Sequence, residues 1–367
     1  MATRIAHLIT SLEGGGTENF LFQITTHAPA TMETRVFFLR KDGVMGQRIR
    51  QAGVAVKGPV CPATLLNELR KFKPDALHTC LYWANQVGRI AGRILGIPVI
   101  VSSQRSIDVW QKPWHGWMDR FTLPMAHLVL CNSAEAMMVL QKRLGRRAGP
   151  RFEKLENGLD DSVLVLQDSS AARRAYHLPE DAIVGGTLMR LHREKGAELI
   201  PDFASALLSA EPRLHLLVGG TGPLEPELKQ RTSHHPWSNR LHWLGWENRI
   251  SRFYSAIDFF WSLSREESFP QTLLEASAMG VPWMAPDVGE ISALAGFGEG
   301  HIVYPAAGRQ DAAAIGLQFL KNLGQNQDLS RAAAGRIRER FRMTRMIDRF
   351  YQQIESALQN VRRGEPN

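Results

Sequence analysis

The chain has 367 residues, 44% of them hydrophobic, 22% charged and 8% aromatic. This is the profile of a folded globular protein of roughly two domains, which excludes disorder and coiled coil, and no apolar run reaches the ~18 residues of a membrane-spanning helix. The net charge of +8 is one-sided, because residues 1–165 hold 21 of the 44 basic but only 13 of the 36 acidic residues. A basic half suits nucleic acid, an anionic membrane surface or a phosphorylated ligand.

Met1–Thr10 is too short an apolar start for a signal peptide, and Glu13 soon follows. Arg4–Ile9 reads as a strand, Gly14-Gly15-Gly16 as a turn, and Thr17 as the cap of a helix to about His27. Strands are expected at Arg35–Leu39, Ala76–His78, Val99–Val101 and Leu128–Leu130, with helices at about Ala84–Leu95 and Ala134–Arg143. After a polar stretch, Asp160–Asp181, the pattern restarts with strands at Ile183–Thr187, Leu214–Val218, Leu241–Trp243, Phe259–Trp261 and Pro282–Ala285. Its helices fall at about Ala197–Ser209, Leu224–Arg231, Thr272–Met279 and Asp311–Leu323. Continuous apolar strands alternating with helices predict α/β architecture, with two Rossmann-like, doubly wound parallel sheets. A basic helical tail follows at about Leu329–Val361, with Phe341, Phe350, Tyr351, Ile354 and Leu358 on one face. Three scattered cysteines, Cys61, Cys80 and Cys131, argue against a disulfide framework or zinc site and fit a reducing compartment.

Four segments carry candidate chemistry. Gly14-Gly15-Gly16 allows close backbone approach to a ligand before a helix start, but Asn19 breaks the dinucleotide fingerprint, which argues against a dehydrogenase. Val218-Gly219-Gly220-Thr221-Gly222-Pro223 follows a strand at the end where open α/β sheets bind ligands. Arg190 and Lys195 flank a strand-to-helix loop, a fork and a point charge suited to phosphate oxygens, or else simply a solvated basic loop. Glu267 precedes a helix start at Pro270 or Gln271, and Glu275 lies about a turn inside that helix. These acids suit a sugar and its hydroxyls, or a helix-dipole partner and a surface carboxylate.

In this order the motifs resemble the retaining glycosyltransferases of glycosyltransferase family 4, with the GT-B fold. The resemblance rests on Gly14-Gly15-Gly16, Asn157-Gly158-Leu159-Asp160, Arg190 with Lys195-Gly196, and Glu267 and Glu275 with Ala276 and Gly280. Leu244-Gly245-Trp246 and Tyr254 with Asp258 sit where that family has similar segments. The resemblance implies two domains facing across a cleft: an acceptor-side domain at 1–165, a donor-binding domain at 166–344, and a terminal helix at 345–367 crossing back to the first. It implies that Arg190 and Lys195 hold the donor diphosphate, Glu267 the donor sugar and Glu275 the ribose. Backbone groups of Phe269, Thr272 and Leu273 would touch sugar and phosphate, Gly15 and Gly16 would cover the diphosphate, and Trp246 would lie near the nucleobase. The donor would be a UDP- or GDP-linked sugar and the acceptor a glycan or lipid-linked precursor, with no cofactor; the scattered cysteines and the basic first half suggest the cytoplasm at the inner face of a membrane. No Asp-x-Asp occurs, so no metal is expected.

The chain departs from the family on the acceptor side. Cys80 replaces the second histidine after His78, and Ser103-Gln104-Arg105 stands where a histidine often follows the next strand. His78 and Arg105 are acceptor-side candidates, but arginine stays protonated and cannot be a general base. These departures motivate an alternative, a catalytically weak sugar-nucleotide-binding or scaffolding relative. Asn132-Ser133 and Asn157-Gly158 read as cap and turn. Trp110, Trp114, Trp117 and Phe121 recur at helical spacing among Lys112, His115 and Arg120, with Lys142, Arg143, Arg146 and Arg147 nearby. That stripe reads as a membrane- or lipid-facing surface or as core packing. No helix-turn-helix, zinc-finger or RNA-recognition signature accompanies the charge, so nucleic acid is not expected.

Overall fold

The computed structural model describes residues 2–107, 110–160 and 164–364. The strands are β1 (Thr3–Ile9), β2 (Met32–Phe38), β3 (Ala55–Lys57), β4 (Ala76–Cys80), β5 (Val99–Gln104), β6 (Leu128–Cys131), β7 (Arg151–Lys154), β8 (Ile183–Leu188), β9 (Leu214–Gly219), β10 (Leu241–Gly245), β11 (Phe259–Trp261), β12 (Trp283–Pro286) and β13 (Ile302–Tyr304). The helices are α1 (Gly16–Thr26), α2 (Val44–Gln51), α3 (Pro62–Phe72), α4 (Tyr82–Leu95), α5 (Pro113–Thr122), α6 (Ala134–Leu144), α7 (Ser169–Ala175), α8 (Ile200–Ala210), α9 (Glu225–Thr232), α10 (Ile250–Ala256), α11 (Gln271–Ala278), α12 (Ile291–Ala295), α13 (Ala312–Lys321), α14 (Leu323–Arg340) and α15 (Met343–Arg363). They form two compact units, Met1–Gly158 with Met343–Asn367, and Leu159–Arg342.

Each unit holds one sheet. The first has the order β3-β2-β1-β4-β5-β6-β7 and the second β10-β9-β8-β11-β12-β13. Every pairing within them is parallel. In both, the chain winds outward from the first strand, returns and winds the other way, so strand order reverses beside β1 and beside β8. Such reversals leave a crevice at the C-terminal strand ends. The inner strands are buried on both faces, as in β1, where Ile5, Ala6, Leu8 and Ile9 have no accessible surface. Ile5 and Ile9 belong to one apolar cluster and Ala6 and Leu8 to another, one on each side of the sheet. In the second unit α10 and α11 cover one face of the sheet, and α8 and α13 the other.

The basic tail is two helices. Phe341 ends the first of them and packs in the second unit's core, 6.1 Å from Phe269 and 5.4 Å from Phe297 in ring contact. The second, α15, has Met346, Ile347, Phe350, Tyr351, Ile354, Ala357 and Leu358 on one stripe, buried with Ile9, Phe20 and Ile24 of the first unit. Burying such side chains stabilises by about 1.5–3 kcal/mol each. Gly158 explains its own identity here, since a Cβ on it would stand 2.7 Å from the Met343 backbone. Of the expected terminal stretch 345–367, residues 365–367 lie outside the described residues, as do 161–163 of the expected connecting stretch.

Thr17 is not the cap of α1. The helix starts at Gly16, and Gly15, which has no side chain to cap with, occupies the cap position. Ser133 does cap α6, its Oγ accepting from the Ala136 N–H at 3.1 Å.

Candidate active site

The second unit assembles its candidate groups where β8 and β11 lie side by side. Lys195 ends a single 3-10 turn after β8, and Gly196 follows at φ 67°. A Cβ on Gly196 would stand 2.0 Å from the Leu263 carbonyl oxygen, so glycine lets the loop after β8 close onto the end of β11. Across that contact the Lys195 ammonium donates to Glu267 Oε1 at 2.7 Å. Ser264 Oγ donates to the same oxygen at 2.9 Å, and Ser262 Oγ bonds Ser264 Oγ at 3.2 Å. Both charged side chains are largely withdrawn from water, at 21% and 16% exposure. Gly289 backs the pair from the loop after β12, at φ 59°, where a Cβ would collide with the Glu267 carbonyl oxygen at 1.7 Å.

Arg190 occupies the same loop as Lys195 but has a different partner. Its exposed guanidinium pairs with Glu194. The second glycine-rich turn supports this loop rather than standing open. A Cβ on Gly220 would stand 1.8 Å from the Met189 carbonyl oxygen, and one on Gly222 2.4 Å from that of Leu191. The Met189 N–H donates to the Gly219 carbonyl at 3.0 Å and the Leu191 N–H to that of Thr221 at 2.9 Å, fixing both neighbours of Arg190.

The helix α11 supplies the rest. Pro270 is its cap residue, and the first-turn N–H groups of Thr272 and Leu273 have no carbonyl within the helix to receive them. That end of a helix favours an anion. The side chains of Phe269 and Leu273 are in the core, so these residues offer backbone only, while Thr272 is half-buried. Glu275 follows one turn on. Tyr254 Oη donates to Glu275 Oε2 at 3.2 Å and to the Thr272 carbonyl at 2.8 Å, and Gln271 Nε2 donates to Glu275 Oε1 at 3.2 Å. Removal from water pushes the Glu275 carboxyl up to about 7, against the pull of those two bonds. Trp246 stands 70% exposed past the C-terminal end of the edge strand β10.

Sequence reasoning missed Ser264, Tyr254 and Gln271 as partners of the two acids. Ser264 and Gln271 each lie within four residues of the acid they touch, a spacing that points to them. Tyr254 lies in a segment noted for its likeness, but its partner Asp258 serves the scaffold: Asp258 Oδ2 accepts from Arg173 at 2.7 Å and from the Val184 N–H at 2.8 Å.

In the first unit, Gly14, Gly15 and Gly16 follow β1 on the surface, and a Cβ on Gly14 or Gly16 would meet nothing within 4 Å. His78, the acceptor-side candidate, lies in the interior of the first unit. Its ring has no accessible surface. Its Nδ1 lies 3.0 Å from His7 Nδ1, its Nε2 2.8 Å from Ser103 Oγ, and the Phe350 ring of α15 covers it at 4.9 Å. Burial holds it neutral, far below the usual histidine range. Cys80 beside it is a buried thiol pushed up to about 12. Arg105 is half-buried, its guanidinium 3.8 Å over the Phe20 ring and bonded to the side chain of Asn157. Burial lowers it to about 10, which keeps it charged at neutral pH. Among the described residues no group of three or more His, Cys, Asp or Glu side chains is arranged to hold a metal ion.

Residues 1–152 match the model of the glycosyl transferase 4-like domain, and residues 182–322 that of the glycosyl transferases group 1. The chain belongs to the family 4-type glycosyltransferases. Similar curated proteins include the lipopolysaccharide core biosynthesis mannosyltransferase LpsB of Rhizobium meliloti, 36% identical over 35% of this chain and 38% of that one. The putative glycosyltransferase EpsF of Bacillus subtilis is 26% identical over 54% of this chain and 53% of its own. The chain thus spans about a third to a half of the length of these relatives. Among solved structures, Anabaena HepE in complex with UDP superposes with a TM-score of 0.83 at 21% identity, covering 96% of this chain and all of that one. A glycosyltransferase from Rickettsia africae gives 0.83 at 14% identity over 98% and 99%. These likenesses show the GT-B fold.

Proposed function

We propose that the protein transfers a hexosyl group from a nucleoside-diphosphate sugar to an acceptor hydroxyl, with net retention at the anomeric carbon and without a metal ion. The observation that carries this reading is the Lys195–Glu267 pair at the sheet's switch point, 2.7 Å apart. It sets a cation for phosphate beside an acid for a sugar, with Arg190 on the same loop and Glu275 one turn into α11.

In this reading the bond between the anomeric carbon and the diphosphate breaks, the acceptor oxygen bonds to that carbon on the same face, and the acceptor hydroxyl proton passes to the departing diphosphate oxygen. Arg190 and Lys195 oppose the charge growing on the leaving diphosphate, preorganised by the glycine contacts behind their loop. The first-turn N–H groups of Thr272 and Leu273 hold phosphate or sugar oxygens, Glu267 a sugar hydroxyl, and Glu275 the ribose hydroxyls. Trp246 offers a face to the base. Several relatives bear on the substrate: one is a UDP-Gal:alpha-D-GlcNAc-diphosphoundecaprenol alpha-1,3-galactosyltransferase of Escherichia coli, and HepE was crystallised with UDP-glucose. They support a UDP-linked donor and a lipid-linked acceptor, and the GDP-mannose-dependent alpha-mannosyltransferase of Mycolicibacterium smegmatis supports a GDP-linked one; the acceptor would be a lipid-linked or cell-surface glycan precursor met at the cytoplasmic face of a membrane.

The test is a thermal-shift panel of UDP-, GDP-, ADP- and dTDP-sugars, followed by donor turnover in EDTA and anomeric assignment of the product by NMR. One donor should raise the melting temperature, and by more as its concentration rises above its dissociation constant. No stabilisation by any of them, with no turnover, refutes the reading.

A further inference from the structure

Helix α5 is amphipathic in the unusual sense. Its inward face is polar: His115, Asp119 and Thr122 are buried. Its outward face is aromatic: Trp114, Trp117 and Phe121 are 46%, 63% and 56% exposed, and Trp110 just before the helix is 53% exposed. The inner network locks this orientation. The Asp119 carboxylate accepts from Gln86 at 2.6 Å, Arg89 at 3.2 Å and Arg143 at 2.7 Å, while Thr122 Oγ1 donates to Gln86 Oε1 at 2.6 Å. Arg89 is among the largest fully buried side chains of the protein. Rotating α5 to bury its aromatics would leave that guanidinium without its carboxylate in the interior, a severe penalty. The rings therefore stay in water and pack on one another's edges and faces, as Trp117 on Phe121 at 6.4 Å. A contiguous exposed apolar patch of this kind marks an interaction surface.

The rim of the patch identifies the partner. The Arg147 guanidinium lies 5.1 Å over the Phe121 ring and donates to the Arg120 carbonyl at 3.3 Å. The side chain of Arg120 reaches Gly145, next to Arg146: a Cβ there would stand 3.6 Å from its Nη1. Arg120, Arg146 and Arg147 are exposed, as are Lys112 and Lys142. Across residues 110–150 six cations meet two acids, and one of these, Asp119, is buried and already paired. Two copies of this face would bring like-charged rims together. Tryptophan at headgroup depth with arginine among lipid phosphates is what an anionic bilayer surface accommodates.

We propose that the outer face of α5 is a docking surface for an anionic membrane, with Trp114, Trp117 and Phe121 entering the headgroup region and Arg120, Arg146 and Arg147 contacting lipid phosphates. It deepens the membrane setting of the proposed function and is independent of the transfer chemistry.

The test is co-sedimentation of the full chain with phosphatidylcholine vesicles, with and without phosphatidylglycerol, at low and high salt. Binding should require phosphatidylglycerol and weaken with salt. Replacing Arg120, Arg146 and Arg147 by Gln should lower partitioning roughly 10²-fold, since each cation contributes about fivefold near such a surface. Trp117→Ser with Phe121→Ser should abolish detectable binding, with the melting temperature of both variants little changed because the replaced side chains are largely exposed. Wild-type protein that ignores anionic vesicles at low salt overturns the proposal, as does equal binding by the variants. A concentration-dependent dimer abolished by Trp117→Ser assigns the face to a second copy and also overturns it. Turnover of a soluble donor separates the two ideas: wild-type protein that turns over donor but ignores anionic vesicles removes the docking surface alone, and wild-type protein that binds vesicles without turnover removes the transferase alone.

Discussion

Lys195 gives the sharpest test of the site. Its ammonium is shared between Glu267 Oε1 at 2.7 Å and the Glu266 carbonyl at 3.4 Å, with little of it in water. A diphosphate arriving there competes with Glu267 for the same charge. Lys195→Ala removes the group that opposes charge on the leaving phosphate, and loss of one such preorganised stabiliser lowers turnover about 10²–10³-fold, or roughly 2.7–4 kcal/mol. It also leaves the Glu267 carboxylate with Ser264 but no cation. That should cost about 1–2 kcal/mol of stability, less than the ~3–5 kcal/mol of a fully buried pair. Glu267→Gln has the opposite electrostatic effect, releasing the ammonium to the anion. Calorimetric titration with UDP should therefore show weaker binding for Lys195→Ala and undiminished binding for Glu267→Gln, while a donor-turnover assay shows both impaired. Turnover of Lys195→Ala within about twofold of wild type, or equal weakening of UDP binding in both variants, refutes the reasoning.

Glu275 makes stability depend on pH. Its carboxyl titrates at about 7 in the folded protein against 4.5 ordinarily. Below pH 4.5 both states hold the proton and nothing is lost; between 4.5 and 7 the unfolded chain releases it first, so stability falls as pH rises and the full cost stands above 7. Glu275→Gln should relieve that cost, by about 1–2 kcal/mol after allowance for its partial exposure. The gain in melting temperature should appear at pH 8 and vanish at pH 4, and an equal gain at both contradicts the assignment. Gly289→Ala should cost about 1–3 kcal/mol in denaturant titration and reduce turnover by displacing Glu267, whereas Gly14→Ala, in open space, should leave stability unchanged. Asp119→Ala should destabilise by about 3–5 kcal/mol by stranding Arg89, and a midpoint shift below about 1 kcal/mol would show that the buried pair is dispensable. Donor turnover should be equal in EDTA and in magnesium, and a loss on chelation would remove the metal-free mechanism.

Much of the fold was legible because its signals are local. An inner parallel strand is an unbroken apolar run, and β11 is found where Phe259–Trp261 predicts it. The strands that escaped notice are the edges β3, β7 and β13, whose residues are partly exposed and therefore mixed in character, as in Arg151–Lys154. The surface helix α2, with Arg48 and Arg50 in its last turn, left equally little trace.

The order of the inner strands and the helices between them, the presence of two α/β units and the types of residue on each loop were determined by the sequence alone, since each depends on neighbours within a few positions. Only the tertiary structure decided which of those residues meet. Lys195 and Glu267 are 72 residues apart in the chain and become partners because β8 and β11 are adjacent. His78 looked available for chemistry, and the return of α15 seals it beneath Phe350. The aromatic spacing of α5 fitted an inward or an outward face equally well, and the buried demand of Arg89 for Asp119 turned it outward. Spacing specifies which residues share a face, whereas the cost of burying an unpaired charge, set by distant partners, determines which way that face points.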